Sequence, residues 1–128
     1  MSFNNFNTTV NISSLVGLVN IQNLHFAACS IQSSLPDNIN ALQSLVTLNF
    51  DSNRLLGTIP TTLGDINSLD NIFLAENQLT GTIPSDLAQL ENLKTLELQS
   101  NLLSGSIPDE FEVFTDLSFN YSGNSISD

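Results

Sequence analysis

Few side chains in this sequence have the chemistry that catalysis requires. His25 is the only histidine, and Asp51 and Ser52 are the candidates for its acidic partner and its nucleophile. A catalytic triad needs the nucleophile within hydrogen-bond reach of its base, about 3 Å, together with an oxyanion hole. No motif marks Ser52 as an activated nucleophile, so we predict that the chain is not an enzyme and has no catalytic residues.

Signals for metal and phosphate sites are equally weak. Cys29, the only cysteine, is predicted to be a buried structural thiol. Four acidic residues near the C-terminus would allow a loose calcium site, but EF-hand spacing is absent, which favours a solvated acidic face. These residues are Asp109, Glu110, Glu112 and Asp116. The segment GTIPTTLG (57–64) is not a phosphate loop, because no Gly-Lys-Ser/Thr follows. We predict no cofactor and no metal site.

The net charge limits the classes of partner. The 128 residues include 13 acidic and two basic side chains, which gives a formal net charge of −11. Nucleic acids and anionic membrane surfaces are bound through Lys and Arg, so both are excluded as expected partners. A single cysteine cannot form an internal disulfide, and no apolar run approaches the roughly 20 residues that span a bilayer.

The elements that must position these side chains repeat along the chain. The prolines follow one another at steps of 24 residues: Pro36, Pro60, Pro84 and Pro108. Other columns keep the same step, including Cys29, Asn53, Asn77 and Asn101 and the apolar series Leu24, Leu48, Ile72 and Leu96. A fixed period of this length indicates a repeat architecture, in which each unit buries its apolar face against the next.

The repeated unit reads L-x-x-L-x-x-L-x-L-x-x-N-x-L-x-G-x-I-P-x-x-L-x-x, with clear copies at 55–66, 79–90 and 103–114. It matches the leucine-rich repeat template. Its L-x-G-x-I-P tail resembles the plant-type subclass of receptor-like kinases and secreted inhibitors. The resemblance implies an α/β solenoid with a parallel sheet on the concave face and short helical or 3-10 segments on the convex side. It also implies a non-enzymatic recognition module.

Within this fold, each L-x-L pair predicts a short strand with one buried face. The strands are expected near 24–26, 48–50, 72–74, 96–98 and 119–121. We predict a single domain over 1–128, with a degenerate partial repeat at 1–17, four 24-residue repeats at 18–113 and a truncated last repeat at 114–128. Neither flank has the cysteine-paired cap that the resemblance to secreted relatives implies. Three readings of these uncapped ends are open: the polar flanks act as makeshift caps, the chain is a fragment of a longer array, or a partner covers the ends.

The outward strand positions differ from copy to copy, as expected of a recognition face. We predict that ligand contacts come from nine residues of the concave face: His25, Thr47, Asn49, Asp51, Asn71, Phe73, Thr95, Glu97 and Gln99. Phe73 is the only large apolar residue predicted to point outward there. A central aromatic surrounded by polar groups is the usual anatomy of a binding anchor.

Three functions remain open at this point. The leading one is binding of a protein, peptide or glycan through the concave face. The second is a structural subunit, joined end to end or to a neighbouring subunit through its uncapped ends. The third is an ice-binding surface, suggested by the Asn and Thr residues of the first outward column.

Three N-x-Ser/Thr sequons, at Asn7, Asn11 and Asn120, are candidate glycosylation sites. All three lie in the flanks, where glycans are expected to leave the sheet unblocked. The resemblance favours an extracellular location, but the start MSFNNFNTTV has neither a basic nor an apolar region and does not read as a signal peptide.

Overall fold

The L-x-L pair of each repeat forms a three-residue strand in the computed structural model, which describes residues 11–127. Five of these strands are β1 (Asn23–His25), β2 (Thr47–Asn49), β3 (Asn71–Phe73), β4 (Thr95–Glu97) and β6 (Ser118–Asn120). They form one parallel sheet in the order β1-β2-β3-β4-β6. Each residue pairs with its counterpart one repeat along, as in the row Leu24, Leu48 and Ile72. The predicted leucine-rich repeat solenoid is therefore confirmed.

Each observed strand begins and ends one residue before the predicted one. The ladder nevertheless continues past the strand end, because the Phe26 N–H donates to the Asn49 carbonyl at 2.8 Å and the Phe50 N–H to the Phe73 carbonyl at 2.8 Å. The alternation of buried and outward side chains is the predicted one in β1, β3 and β4, whereas in β2 Thr47 is buried as well as Leu48. The division into partial, complete and truncated repeats remains a prediction.

Short 3-10 helices form the opposite, convex side. Among residues 11–127 they are η1 (Ile12–Gly17), η2 (Ile39–Ala41), η3 (Thr61–Asp65), η4 (Ser85–Gln89) and η5 (Asp109–Val113). η3 and η4 begin directly after Pro60 and Pro84, whose φ angles are −65° and −66°. The pyrrolidine ring fixes this angle, and Pro108 precedes η5 in the same way, so these three prolines start the convex segment at the same place. The first copy differs, because η2 begins at Ile39 and not directly after Pro36. No helix in this part of the chain is long and apolar enough to cross a membrane.

A second sheet, which the sequence did not predict, runs beside the proline column. It consists of β5 (Ser104–Ser106) and β7 (Ser125–Ser127), which pair in parallel. Isolated bridges between Ser34 and Leu56 and between Thr58 and Thr80 continue the same line. The x-G-x tails stack at the repeat spacing, with the glycine of each at a φ near +80°, and their backbone groups pair. Their Gly, Ser and Thr residues carry no strand-like apolar alternation, which is why the pattern gave no signal.

The asparagine column links consecutive repeats from inside. The Asn53 side-chain oxygen accepts hydrogen bonds from the N–H groups of Cys29 at 3.1 Å and Ile31 at 2.9 Å. Its amide nitrogen donates to the Phe26 carbonyl at 2.7 Å and the Phe50 carbonyl at 2.9 Å. Similar amide contacts to the preceding repeat recur at Asn77, Asn101 and Asn124. We call this series the asparagine ladder; it satisfies backbone groups that would otherwise be buried without partners.

Cys29 is 4% exposed, as the sequence predicted, and its thiol donates to the Ala27 carbonyl at 3.3 Å. Because burial blocks access to the sulfur, we expect a thiol reagent to label the folded protein slowly and the denatured protein at once. We expect Cys29→Ser to lower the free energy of unfolding by about 1 kcal/mol, since the smaller hydroxyl is more costly to bury. Rapid labelling under native conditions would contradict this placement.

Candidate ligand-binding face

The outward side chains of the five-stranded sheet form rows that cross the strands. The row through the middle contains His25, Asn49, Phe73, Glu97 and Asn120, which pair in register from β1 to β6. Neighbouring strands lie about 4.8 Å apart, so these five side chains stand side by side over roughly 20 Å. The nine residues predicted from the sequence all belong to this sheet face or to its immediate continuation after each strand.

Phe73 lies at the centre of this row and is half-buried. Its partners across the strands are Asn49 on β2 and Glu97 on β4, and both of these side chains are also half-buried. The residues before and after it in the sequence, Ile72 and Leu74, are completely buried. The ring therefore emerges from the sheet between polar neighbours, although part of its surface is already covered.

Thr47 does not match its predicted exposure. It was expected to point into solvent from β2, but it is only 9% exposed. Its hydroxyl accepts a hydrogen bond from the Asn71 side-chain amide at 3.4 Å. The larger asparagine on the adjacent strand thus covers the shorter threonine, and Thr47 is a poor candidate for direct ligand contact. With Thr47 covered and Thr95 half-buried, this column does not form a flat, exposed hydroxyl array.

Asp51 is half-buried, and its hydrogen bonds link neighbouring repeats at the edge of the face. Its carboxylate accepts a hydrogen bond from the Ala75 N–H at 2.7 Å, and its own N–H donates to the Asn49 side-chain oxygen at 3.0 Å. Burial raises the pKa of Asp51, and repulsion by the carboxylates of Glu97 and Glu76 raises it further, while the Ala75 N–H acts in the opposite sense. Three carboxyl groups therefore lie close enough to repel one another in this part of the face.

Gln99 continues the same column beyond β4. Its side-chain oxygen is buried, and among residues 11–127 it is the only such buried side-chain N or O atom without a hydrogen-bond partner. Buried polar atoms are normally satisfied. An acceptor is thus left unused close to the predicted contact residues.

The three residues considered for catalysis are not assembled as a triad. Within residues 11–127, His25 forms no hydrogen bond with Asp51 or Ser52, and the Ser52 hydroxyl donates to Glu76 at 3.2 Å. Ser52 also has a φ of +58°, a left-handed conformation shared with Ala28, Glu76 and Ser100 at the same repeat position. Ser52 therefore occupies a turn position common to all the repeats. No group of His, Cys, Asp or Glu in the described residues is arranged to hold a metal ion.

The sequons differ in their surroundings. Asn7 lies outside the described residues. Asn11 is exposed and caps η1, where its side-chain oxygen accepts from the Ser13 N–H at 3.0 Å. Asn120 belongs to β6, and its side-chain oxygen accepts from Ser122. The expectation that a glycan there would leave the sheet unblocked is wrong, because Asn120 stands in the central row of the face.

The family comparison agrees with the repeat pattern. The family model of the leucine-rich repeat matches the chain at residues 44–66, 68–90 and 92–114, which together cover more than half of it. No curated protein sequence matches the chain.

Solved plant receptor structures have the same fold. A chain of the BIR3–SERK2 complex from Arabidopsis thaliana is 33% identical with a TM-score of 0.87; the match covers all of this chain and 69% of that one. The ectodomain of the Arabidopsis receptor kinase SOBIR1 is 28% identical with a TM-score of 0.88, covering 98% and 70%. The Arabidopsis HAESA ectodomain, in complex with an IDA peptide hormone, is 34% identical with a TM-score of 0.83, covering 87% of this chain but 19% of that one.

Proposed function

We propose a recognition function for this chain, which belongs to the leucine-rich repeat family: it binds a peptide or a partner protein on its concave sheet. The repeats are of the plant type, and the similar structures include a receptor bound to a peptide hormone and a complex of two proteins. Those ligands belong to those proteins. What supports the same class of function here is the surface of this chain itself.

The half-buried ring of Phe73 is the observation that carries the proposal. Aromatic side chains provide large contact area at little conformational cost, and binding hot spots are enriched in them. Asn49 and Glu97 stand beside the ring in register and offer hydrogen-bonding groups. The arrangement combines one apolar anchor with a polar surround on a rigid sheet.

The size of the face favours a short ligand. Five strands at about 4.8 Å spacing, with three or four residues each, give a face of roughly 250 Å². A standard protein interface needs about 800 Å² on each partner. We therefore propose that the face binds an extended peptide, or one exposed segment of a larger protein whose remaining contacts lie elsewhere. A short glycan is the competing ligand.

Phe73→Ala tests the proposal. We expect this variant to melt almost normally, because the ring lies outside the fully buried core. In a peptide-display selection against the unmodified chain, we expect the enriched peptides to lose about tenfold or more in affinity for Phe73→Ala, a typical effect for an anchor. Affinity would be measured by titration calorimetry with synthetic copies of the peptides.

Leu102→Ala is the matched control. Leu102 is 62% exposed and lies outside the five-stranded sheet, so its truncation removes a comparable apolar side chain from another surface. It should leave peptide affinity unchanged. Peptides that bind both variants equally well would remove Phe73 from the site, and enrichment of oligosaccharides but not peptides on an array would favour the glycan alternative. A large loss of stability in Phe73→Ala would show that the ring belongs to the core.

A further inference from the structure

Within residues 11–127, the outward positions of the three interior strands carry three carboxylates and no basic side chain. Asp51 follows β2, Glu76 follows β3 and Glu97 lies on β4, and each of these strands is paired on both sides. The chain has two basic residues. Lys94 precedes β4 at the opposite end of the strand and pairs with Asp70 at 3.3 Å, and neither basic residue contributes to the charges that act on the pKa of Asp51.

These carboxylates lie around the Phe73 ring. Glu97 is in register with Phe73 on the adjacent strand, about 4.8 Å away across the sheet. Asp51 lies two residues beyond Asn49, the partner of Phe73 on the other side, and is therefore about 7 Å further along the strand direction. Both carboxylates are half-buried, so the apolar anchor stands between two partly desolvated acids.

Several acceptors of this part of the face have no partner within residues 11–127. Asp51 uses Oδ1 to accept from the Ala75 N–H at 2.7 Å, which leaves Oδ2 for another donor. In the described part of the chain, the Glu97 carboxylate makes no hydrogen bond and no ion pair. The Gln99 side-chain oxygen, two residues further along the same strand, is buried and unpartnered as well. A ligand that supplies several donors would satisfy these groups together.

A guanidinium group fits this arrangement better than a metal ion. The His, Cys, Asp and Glu side chains of residues 11–127 nowhere converge closely enough to hold a metal ion. A guanidinium is planar and directs five N–H donors outward, so it can reach acceptors that are separated in space. It also stacks on aromatic rings, and Phe73 provides such a ring directly beside Glu97.

Repulsion among the carboxylates also favours a positive charge on the ligand. Burial raises the pKa of Asp51, the Ala75 N–H lowers it, and the charges of Glu97 and Glu76 raise it further. A cation close to these groups would favour their ionised forms and offset their mutual repulsion. Because the carboxylates of Asp51 and Glu97 are partly shielded from water, this attraction is stronger than at a fully exposed surface.

We propose that the ligand of the concave face is a basic, extended peptide, one arginine of which lies against Phe73 and pairs with Glu97 and Asp51. This inference rests on the function proposed above and specifies the chemistry of its ligand. An acidic peptide would be repelled by the same surface, and a neutral glycan would leave the carboxylates without a counter-charge.

A peptide-display selection tests the charge of the ligand. A random peptide library would be selected against the full chain in about 0.15 M salt, because weak attraction to an acidic protein is largely screened at that ionic strength. Peptides that depend on the concave face are identified by their loss of binding to Phe73→Ala. We expect these peptides to be enriched at least twofold in arginine, next to an apolar residue, relative to the starting library.

Two double variants separate the local carboxylates from the net charge of the protein. We expect synthetic copies of the enriched peptides to bind Asp51→Asn/Glu97→Gln tenfold or more weakly. Asp37→Asn/Glu91→Gln removes the same charge from exposed positions outside the five-stranded sheet, and it should change affinity less than twofold. Asparagine at position 51 keeps an oxygen for the Ala75 N–H, so both proteins should fold, which thermal melting would verify.

Citrulline, the neutral analogue of arginine, makes the same test without altering the protein. We expect a peptide with citrulline to bind the unmodified chain tenfold or more weakly, and to lose little further affinity for Asp51→Asn/Glu97→Gln, because the coupled partner is already absent. In an NMR titration of the carboxyl groups, the arginine peptide should lower the pKa of Asp51, because a nearby cation favours the ionised form. The citrulline peptide should not.

The outcomes distinguish this inference from the function on which it rests. Peptides that require Phe73 but carry no basic residue, or equal losses on the two double variants, would overturn the inference and leave the recognition function standing. A selection that yields no Phe73-dependent peptide would overturn both. Enrichment of lysine in place of arginine would contradict recognition of a guanidinium, and an unchanged pKa of Asp51 in the complex would overturn the proposed pairing.

Discussion

Replacing Asn77 with alanine is expected to lower the free energy of unfolding by about 3 kcal/mol or more, because several buried backbone groups lose their partners together. The Asn77 side-chain oxygen accepts from the Leu55 N–H at 2.9 Å, and its amide nitrogen donates to the Phe50 carbonyl at 2.9 Å. The same nitrogen reaches the carbonyls of Leu74 at 3.2 Å and Ala75 at 3.1 Å. Asn77 is only 8% exposed, so water cannot easily replace these contacts.

Urea denaturation at neutral pH would measure this loss, with Asn92→Ala as the control. Asn92 is exposed and makes one side-chain hydrogen bond, to the Asn67 carbonyl at 3.3 Å, so its truncation should cost less than about 0.5 kcal/mol. Asn77→Asp retains an acceptor for Leu55 but loses the donor and buries a charge, and it should be at least as damaging as alanine. Similar midpoints for the Asn77→Ala and Asn92→Ala proteins would show that the ladder contributes little.

Gly64→Ala is expected to destabilise the protein by about 2 kcal/mol or more, the scale of an overpacked interior. A Cβ at this position would overlap the Asp86 carbonyl oxygen and lie 2.6 Å from the carbonyl carbon. Both atoms are backbone, so relief requires η3 and η4 to move apart. In most helical positions alanine is favoured over glycine by about 1 kcal/mol, and here the contact reverses that sign.

Gly17→Ala provides the comparison for this effect. Gly17 also lies in the last turn of a short 3-10 helix, but a Cβ there would meet no atom of residues 11–127 within 4 Å. We expect its melting temperature to stay the same or to rise slightly, while that of Gly64→Ala falls by several degrees. If the two variants have the same melting temperature, η3 and η4 are less closely packed than the structure describes.

The periodic part of the molecule could be predicted from sequence because the same residue types return at a fixed step. Leu48 and Phe50 point inward as the L-x-L alternation requires, and Asn53 bonds the preceding repeat as its column suggested. Features that depend on the identity of a single residue in an adjacent repeat could not be predicted from the repeat pattern. Thr47 is covered because the adjacent strand carries Asn71, and Gly64 is required because Asp86 approaches it.

The same distinction applies to the candidate site: the repeat period predicted some of its features, and others depend on individual neighbours. The repeat period determines which side chains point outward from the sheet, so Phe73 and its partners Asn49 and Glu97 were correctly predicted to share one face. The structural role of Asp51, which accepts from the Ala75 N–H, and the unused acceptor of Gln99 left no mark in the pattern.

The asparagine ladder also sets the order in which the turns of the chain can be completed during synthesis. The Ile31 N–H is satisfied by Asn53, and the Leu55 N–H by Asn77, so each turn is completed by residues 22 positions later in the chain. At about 5–20 residues per second, a ribosome needs roughly one to five seconds to deliver that next asparagine. Each turn therefore cannot complete its hydrogen bonds until the next repeat has been synthesised, and we expect folding to follow translation one repeat at a time. Within residues 11–127, the most C-terminal of these contacts is the one from Asn124, which completes the turn at Leu103.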